Sequence, residues 1–209
     1  MNMEDSTPLA LQTLSWQEIV AAAAQINIEP CALQAVCNVE SSGSGFLSSG
    51  RPKILFEGHI FWRELAKRHY QPEILAANFP SIIYQKWTKQ HYQGGEKEYE
   101  RLAIALSIHH EAAYCSTSWG AFQIMGFHHV LCGFRTVDDF VAAQHHSCHK
   151  QLDAFCQFLV ANNLQLYLQK RDWAAFARLY NGPEYLRNQY DKKLEIAYRW
   201  CQNAHSGCF

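Results

Sequence analysis

The sequence predicts a mainly α fold of the α+β kind: one globular domain of about seven or eight helices, with at most a small strand or hairpin near residues 51–58. Three observations predict it. Apolar residues recur at helical spacing along most of the chain, capping sequences open those stretches repeatedly, and Lys53-Ile54-Leu55-Phe56 is the one run of note that reads as a strand. A length of 209 residues suits a single domain with a sizeable core.

Ser15-Trp16-Gln17-Glu18 opens the first helix, because a serine and a glutamate three positions apart satisfy each other's backbone amides ahead of the apolar run 19–26. Pro30 suits the first turn of a second helix, in which Leu33, Val36, Cys37 and Glu40 follow the i, i+3, i+4, i+7 pattern. Ser41-Ser42-Gly43-Ser44-Gly45 stops that helix and leaves Glu40 at its end, on the apolar side. Beyond the strand-like run, residues 60–69 are helical, and 72–95 form a mixed, aromatic segment ending at Gly94-Gly95. Residues 96–113 predict one strong helix with Tyr99, Leu102, Ala103, Leu106 and His110 on a common face.

Residues 116–126 read as a turn-rich loop with a short apolar piece. Thr136-Val137-Asp138-Asp139 then caps a long helix reaching Ala161, whose buried face comprises Val137, Phe140, Val141, Gln144, Cys148, Leu152, Phe155 and Leu159. Asp172 caps 173–180, Asn181-Gly182-Pro183 stops that helix, and a last helix runs over about 186–203. Without repeat or linker, the expected organisation is an N-terminal extension over 1–14, one domain over 15–203 and a C-terminal tail over 204–209.

Composition excludes several classes of function. At 48% hydrophobic, 13% aromatic and 18% charged, the chain folds unaided. A formal charge of −1 provides no positive field for nucleic acid or an anionic bilayer. No apolar run is long enough for membrane insertion, and the acidic start Met1-Asn2-Met3-Glu4-Asp5 lacks the positive region of a signal peptide. Eight cysteines without a CxxC predict mostly buried free thiols made in a reducing compartment, with a late disulfide after delivery left open.

Glu40 is the most informative carboxylate. Apolar neighbours on its helix disfavour the ionised form and raise a carboxyl pKa, as a general acid working near neutral pH requires. The plainer alternative is a solvated glutamate at a helix end. Two other clusters invite chemistry. His145 and His149, one helical turn apart with Cys148 beside them, have metal-ligand spacing but lack a second pair, so a partly exposed histidine cluster is the better account. Cys115 in Cys115-Ser116-Thr117-Ser118 suits a cysteine peptidase only by its loop position.

Three separated pieces place Glu40 in context: Val39-Glu40-Ser41, then Ser118-Trp119-Gly120-Ala121-Phe122-Gln123-Ile124-Met125-Gly126, then Leu179-Tyr180-Asn181-Gly182-Pro183. In this order they resemble the signature set of the lysozyme-like superfamily, with its lytic transglycosylases and goose-type lysozymes. Arg51-Pro52-Lys53-Ile54-Leu55-Phe56-Glu57 and Glu98-Tyr99-Glu100-Arg101-Leu102 sharpen the match, and the chain resembles the N-acetylmuramidase family of phage endolysins over roughly 15–200. Two departures stand out: Gly58 occupies the place of a larger, basic residue before His59, and Tyr92-Gln93-Gly94-Gly95 interrupts an expected Tyr-Gly-Gly.

The resemblance implies a lysozyme-like fold and hydrolysis of the bond between N-acetylmuramic acid and N-acetylglucosamine in peptidoglycan, with Glu40 as proton donor. For the second carboxylate that glycoside cleavage usually needs, Glu57 is the candidate, its alternative being a structural glutamate paired with Arg51 or a nearby amide. Ser118, Gln123, Tyr180 and Asn181 are assigned to substrate positioning, Tyr180 also to orienting Glu40. Their plainer alternatives are local: Gln123 tying down its loop, Asn181 merely ending a helix. Trp119 and Phe122 are candidates for sugar stacking or for the core. Implied with the resemblance are no cofactor, no metal, glycan strands as the partner, a monomer without a separate wall-binding domain, and action on the wall after holin-type release or secretion from the cytoplasm. A lytic transglycosylase, an injected effector with an immunity protein, and a non-catalytic wall-binding module stay open.

Overall fold

Ser15 caps the first helix, α1 (Trp16–Gln25), as the sequence predicts: its backbone N–H donates to Glu18 Oε2 at 2.7 Å, and the Glu18 N–H donates to Ser15 Oγ at 3.3 Å. The computed structural model describes residues 13–41 and 44–206. Most of the N-terminal extension (1–12), Ser42 and Gly43 of the serine–glycine stretch, and the end of the tail (207–209, with Cys208) lie outside the described residues. Among these, eleven α-helices and one small sheet form the mainly α fold.

Helix α2 (Pro30–Glu40) turns Leu33, Val36 and Cys37 into the main core, while Ala32 and Ala35 pack with Tyr198 of the last helix, α11 (Tyr190–His205). Small residues let the two helices approach closely, and Cys31 at the start of α2 is disulfide-bonded to Cys201 of α11, with Cα atoms 5.5 Å apart. Cys37, Cys115, Cys132, Cys148 and Cys156 are buried and outside any disulfide, in line with the expectation of mostly buried thiols.

Two predicted long helices are each broken by one capping residue. The segment 96–113 divides into α5 (Lys97–Ile108) and α6 (His110–Cys115), with α3 (Gly58–Lys67) and α4 (Pro72–Asn78) preceding them. At the break, His109 takes extended backbone, and its ring Nδ1 accepts from Ala112 N–H at 3.3 Å. The buried face of α5 is Glu98, Arg101, Leu102 and Ala105, so Ala103 is exposed. Its period is displaced because an ion pair, invisible to an apolar pattern, is drawn inside.

The second break separates α7 (Val137–His146) from α8 (Cys148–Ala161) at Ser147, whose Oγ accepts from Lys150 N–H at 3.2 Å. Gln151 Nε2 donates to the Gln144 carbonyl at 2.8 Å, satisfying an acceptor that the interruption frees. All of the face predicted for this stretch is buried nonetheless, including Gln144. Further on come α9 (Gln165–Lys170) and α10 (Trp173–Asn181). The last helix starts later than expected, because Pro183–Leu186 forms a 3-10 turn and Gln189 is left-handed at φ 52°.

The sheet joins β1 (Ile54–Phe56), β2 (Thr117–Trp119) and β3 (Ile124–Met125) in antiparallel order β1-β2-β3, with Leu55 opposite Ser118 and Ser118 opposite Met125. Strands β2 and β3 lie in the segment read as a loop, and are too short to display alternation. Their turn requires Gly120: its φ is 69°, and a Cβ there would meet Gln144 Oε1 at 2.6 Å and Gln151 Cδ at 2.7 Å. Gln151 Oε1 also accepts from Ala121 N–H at 2.8 Å, so one buried glutamine ties the turn to the α7–α8 break. Among the described residues no single helix is long and apolar enough to cross a membrane.

The Cys31–Cys201 bond closes a loop of 170 residues. Cys201→Ser is therefore expected to lower the unfolding free energy by about 2–5 kcal/mol, read from the urea midpoint. The wild type should show the same loss once reduced.

Candidate active site

Helix α2 ends at Glu40, and α10 ends at Asn181, 141 positions later; the two ends meet. Asn181 Nδ2 donates to Glu40 Oε1 at 3.3 Å and Oε2 at 3.2 Å. Burial pushes the Glu40 carboxyl above the usual carboxylate range, while the Asn181 hydrogen bond and the positive charge of Lys193 pull the other way. A place at the helix C-terminus disfavours the anion further. Of these neighbours the sequence suggested only Asn181. Lys193 and Tyr190, whose hydroxyl is raised by burial and then by the Glu40 charge, come from the first turn of α11 and carried no signal of their own.

Tyr180 does not orient Glu40 by a hydrogen bond. Its hydroxyl donates to the Phe122 carbonyl at 3.4 Å, and its ring packs on Phe176 and Phe155, with centroids 5.6 and 5.8 Å away. The residue thus locks the end of α10 to the turn 120–123, and its hydroxyl is raised by burial and by the Glu40 charge. Ser118 and Gln123 lie in the same region, engaged with each other: Ser118 Oγ donates to Gln123 Oε1 at 2.9 Å, and Gln123 Nε2 donates to the Gly120 carbonyl at 2.8 Å. These bonds hold Gln123 at a left-handed φ of 49°. Trp119 and Phe122 are core residues, the latter stacked on Phe155 with centroids 4.1 Å apart.

Glu57 stands between β1 and α3, its N–H donating to the Ser116 carbonyl at 2.9 Å. Its Oε2 accepts from the Tyr92 hydroxyl at 2.6 Å and approaches His59 Nδ1 at 3.3 Å. Arg51, the alternative partner, pairs with Glu96 at 3.1 Å and lies over the Tyr99 ring. Both departures noted in the sequence have local explanations here. A Cβ at Gly58 would lie 2.3 Å from the Tyr84 ring, whose hydroxyl accepts from Gly58 N–H at 3.3 Å, so no larger residue fits. Gln93 offers its N–H to Glu98 Oε1 at 2.6 Å, and Gly94 does so at 3.1 Å.

Glu98 and Arg101 form a buried ion pair at 2.8 Å that builds the Glu57 side of the site. Glu98 Oε2 accepts from Phe56 N–H at 3.2 Å, and Arg101 donates to the Phe56 carbonyl at 2.9 Å and to the Ser81 carbonyl at 3.3 Å. The end of β1 is thereby bound on both its polar groups just before Glu57.

The competing clusters do not assemble. The break at Ser147 sends His145 towards Trp119, at 5.9 Å between ring centroids, and His149 towards Glu18 and Asp153, each at 3.6 Å. Among the described residues no group of three or more His, Cys, Asp or Glu is arranged to hold a metal ion. Burial pushes the Cys115 thiol up to about 11, which keeps it protonated and poorly nucleophilic near neutral pH.

A family described as N-acetylmuramidase matches residues 29–202. The crystal structure of the Burkholderia AP3 phage endolysin superposes with a TM-score of 0.85 at 42% sequence identity, covering 90% of this chain and 71% of that one. No curated protein matches.

Replacing Arg101 by Met leaves the Glu98 charge buried and unpaired. A destabilisation of about 3–5 kcal/mol is expected from the loss of one partner of such a pair, measured by urea unfolding.

Proposed function

The chain belongs to the N-acetylmuramidase family and is a glycoside hydrolase acting on peptidoglycan, and we propose that it hydrolyses the N-acetylmuramic acid to N-acetylglucosamine bond with Glu40 as general acid, as a phage endolysin. The observation that carries this reading is Glu40 itself: a carboxyl raised by burial, at a helix end where the two other signature segments converge.

Cleavage needs a proton on the leaving glycosidic oxygen and a negative partner for the oxocarbenium-like sugar. Glu40 holds its proton because its surroundings are poor in water, and releases it as the bond breaks. Asn181 Nδ2 then faces the new carboxylate on both oxygens, and the Lys193 charge stabilises it, so the groups that restrain the pKa rise also receive the product of proton transfer. Glu57 is the second carboxylate, fixed by the Tyr92 hydroxyl. The Tyr92 hydroxyl is itself raised by burial and by its bond to Glu57, so it remains a donor across the working pH range.

Asn181 Oδ1 is buried without a hydrogen-bond partner in the protein, an acceptor suited to a sugar hydroxyl or an acetamido N–H. Ser118, Gln123 and Tyr180 serve the substrate by setting the turn 120–123 against α10. Action on the wall after holin-mediated release accords with the endolysin likeness.

Glu40→Gln is expected to reduce lysis of purified peptidoglycan by about 10²–10⁴-fold, with Cys115→Ser unchanged. Mass spectrometry of the released muropeptides should give reducing-end sugars; 1,6-anhydro ends would replace hydrolysis by transglycosylation. The pH profile tests the proton. Glu40 must be protonated, so activity falls as pH rises through its raised pKa. Lys193→Gln removes a charge that lowers that pKa, and the alkaline limb should move to higher pH.

A further inference from the structure

Among the described residues, two of the buried side-chain atoms without a hydrogen-bond partner stand beside the carboxyls of the proposed reaction. Asn181 Oδ1 belongs to the amide that meets Glu40. His59 Nδ1 lies 3.3 Å from Glu57 Oε2, and both side chains are largely buried, at 19% and 15% exposure. An unpaired buried nitrogen is costly, so its place against a carboxylate oxygen calls for a cause.

Local structure explains how the two come together. Glu57 is the N-cap of α3, and its carbonyl accepts from Ile60 N–H at 3.0 Å and Phe61 N–H at 2.9 Å, yet its carboxylate makes no capping bond. A shorter Ser, Asp or Asn would reach back to the amides of the first turn. The glutamate is turned to Tyr92 instead, whose hydroxyl donates to Oε2 at 2.6 Å. His59, the second residue of α3, thus addresses the oxygen that Tyr92 already holds. Two contacts on one oxygen fix the plane of the carboxylate and hence the direction of Oε1. Burial pushes the imidazole below its ordinary range, with the Glu57 charge pulling it up and Arg63 pulling it down, so near neutral pH the ring is neutral and carries one proton. The Nδ1–H tautomer suits this neighbour, because the other form sets lone pairs against each other. A small rotation of the ring closes the 3.3 Å approach into a hydrogen bond, and contacts of this kind tighten when substrate binds.

We propose that His59 is a positioning residue for Glu57: its Nδ1–H completes a hydrogen bond to Oε2 when the glycan binds and, with Tyr92, sets the carboxylate against the sugar cation of the transition state. The inference rests on the reading of Glu57 as the second carboxylate. That carboxylate acts on charge that develops only as the bond breaks, so loss of His59 lowers kcat and leaves KM nearly unchanged.

The test separates the two ring nitrogens. An asparagine amide reproduces the reach of Nδ1, and a glutamine amide that of Nε2. With peptidoglycan as substrate, His59→Gln is expected to lower kcat about 10–100-fold at unchanged KM, and His59→Asn to retain most of the wild-type rate. In a Glu57→Gln background, His59→Gln should cost nothing further, since it acts through that carboxylate. Imidazole nitrogen NMR of the wild-type protein, which needs no variant to fold, should show the His59 proton on Nδ1 near neutral pH. A proton on Nε2, full activity of His59→Gln, equal loss in His59→Asn and His59→Gln, or an added loss in the Glu57→Gln background would overturn the proposal. The underlying reading fails separately, if Glu57→Gln alone keeps full kcat.

Discussion

The site depends on one constraint: α2 must bring a carboxyl to its end without exposing it. The helix is pinned along its length. Leu33 and Val36 are wholly buried, Ala32 and Ala35 rest against α11, Cys31 is bonded to Cys201 at the start, and Asn181 receives Glu40 at the finish. The partner helix in this packing also supplies Lys193 and Tyr190 to the Glu40 environment. Sliding α11 along α2 would therefore alter both the desolvation of Glu40 and the charge opposing it. A crosslink at the far end of the pair resists that movement at small local cost, because both cysteines lie on rigid helices.

The other half of the site is organised by polar burial. Glu98 accepts three backbone N–H groups together with Arg101, so its desolvation is offset by hydrogen bonds as well as by the opposite charge. An apolar pair in the same place would leave the Phe56, Gln93 and Gly94 amides without acceptors. The arrangement also explains the inserted Gln93: the added backbone unit contributes a donor and does not displace Tyr92, whose hydroxyl reaches Glu57. Crowding at Gly58 follows from the same local order, since Tyr84 fills the space that a side chain would need.

Much of the fold was legible in the sequence where local rules act alone. The Ser15 cap, the start of α2 at Pro30, the strand before Glu57 and the stop after Asn181 all rest on residues whose preferences agree with their tertiary surroundings. The apolar face of 137–161 was correct despite the break at Ser147, because a capped kink preserved which side faced inward. Face assignment failed on α5, where the buried residues include a charged pair that hydrophobic periodicity counts as outside. It was silent on β2 and β3, whose pairing is set by β1 and by the Gly120 turn. For the site, the order of three motifs located Glu40 and Asn181, whereas Lys193, Tyr190 and Tyr92 became visible only when distant segments were brought together.

The two carboxyls illustrate why that assembly matters chemically. Glu40 meets its amide partner at the end of another helix and is partly buried, and that burial raises its carboxyl against the opposing pull of Asn181 and Lys193. Glu57 stands at a strand end, with the Tyr92 hydroxyl donating to Oε2 and the His59 imidazole 3.3 Å from the same oxygen. The two environments are built by different parts of the chain, one by the ends of α2 and α10 with the start of α11, the other by the end of β1 and the segment that carries Tyr92. The difference in setting between two like side chains is thus fixed by where α2 and β1 terminate, and the proposed choice of Glu40 as proton donor rests on that difference rather than on any intrinsic one.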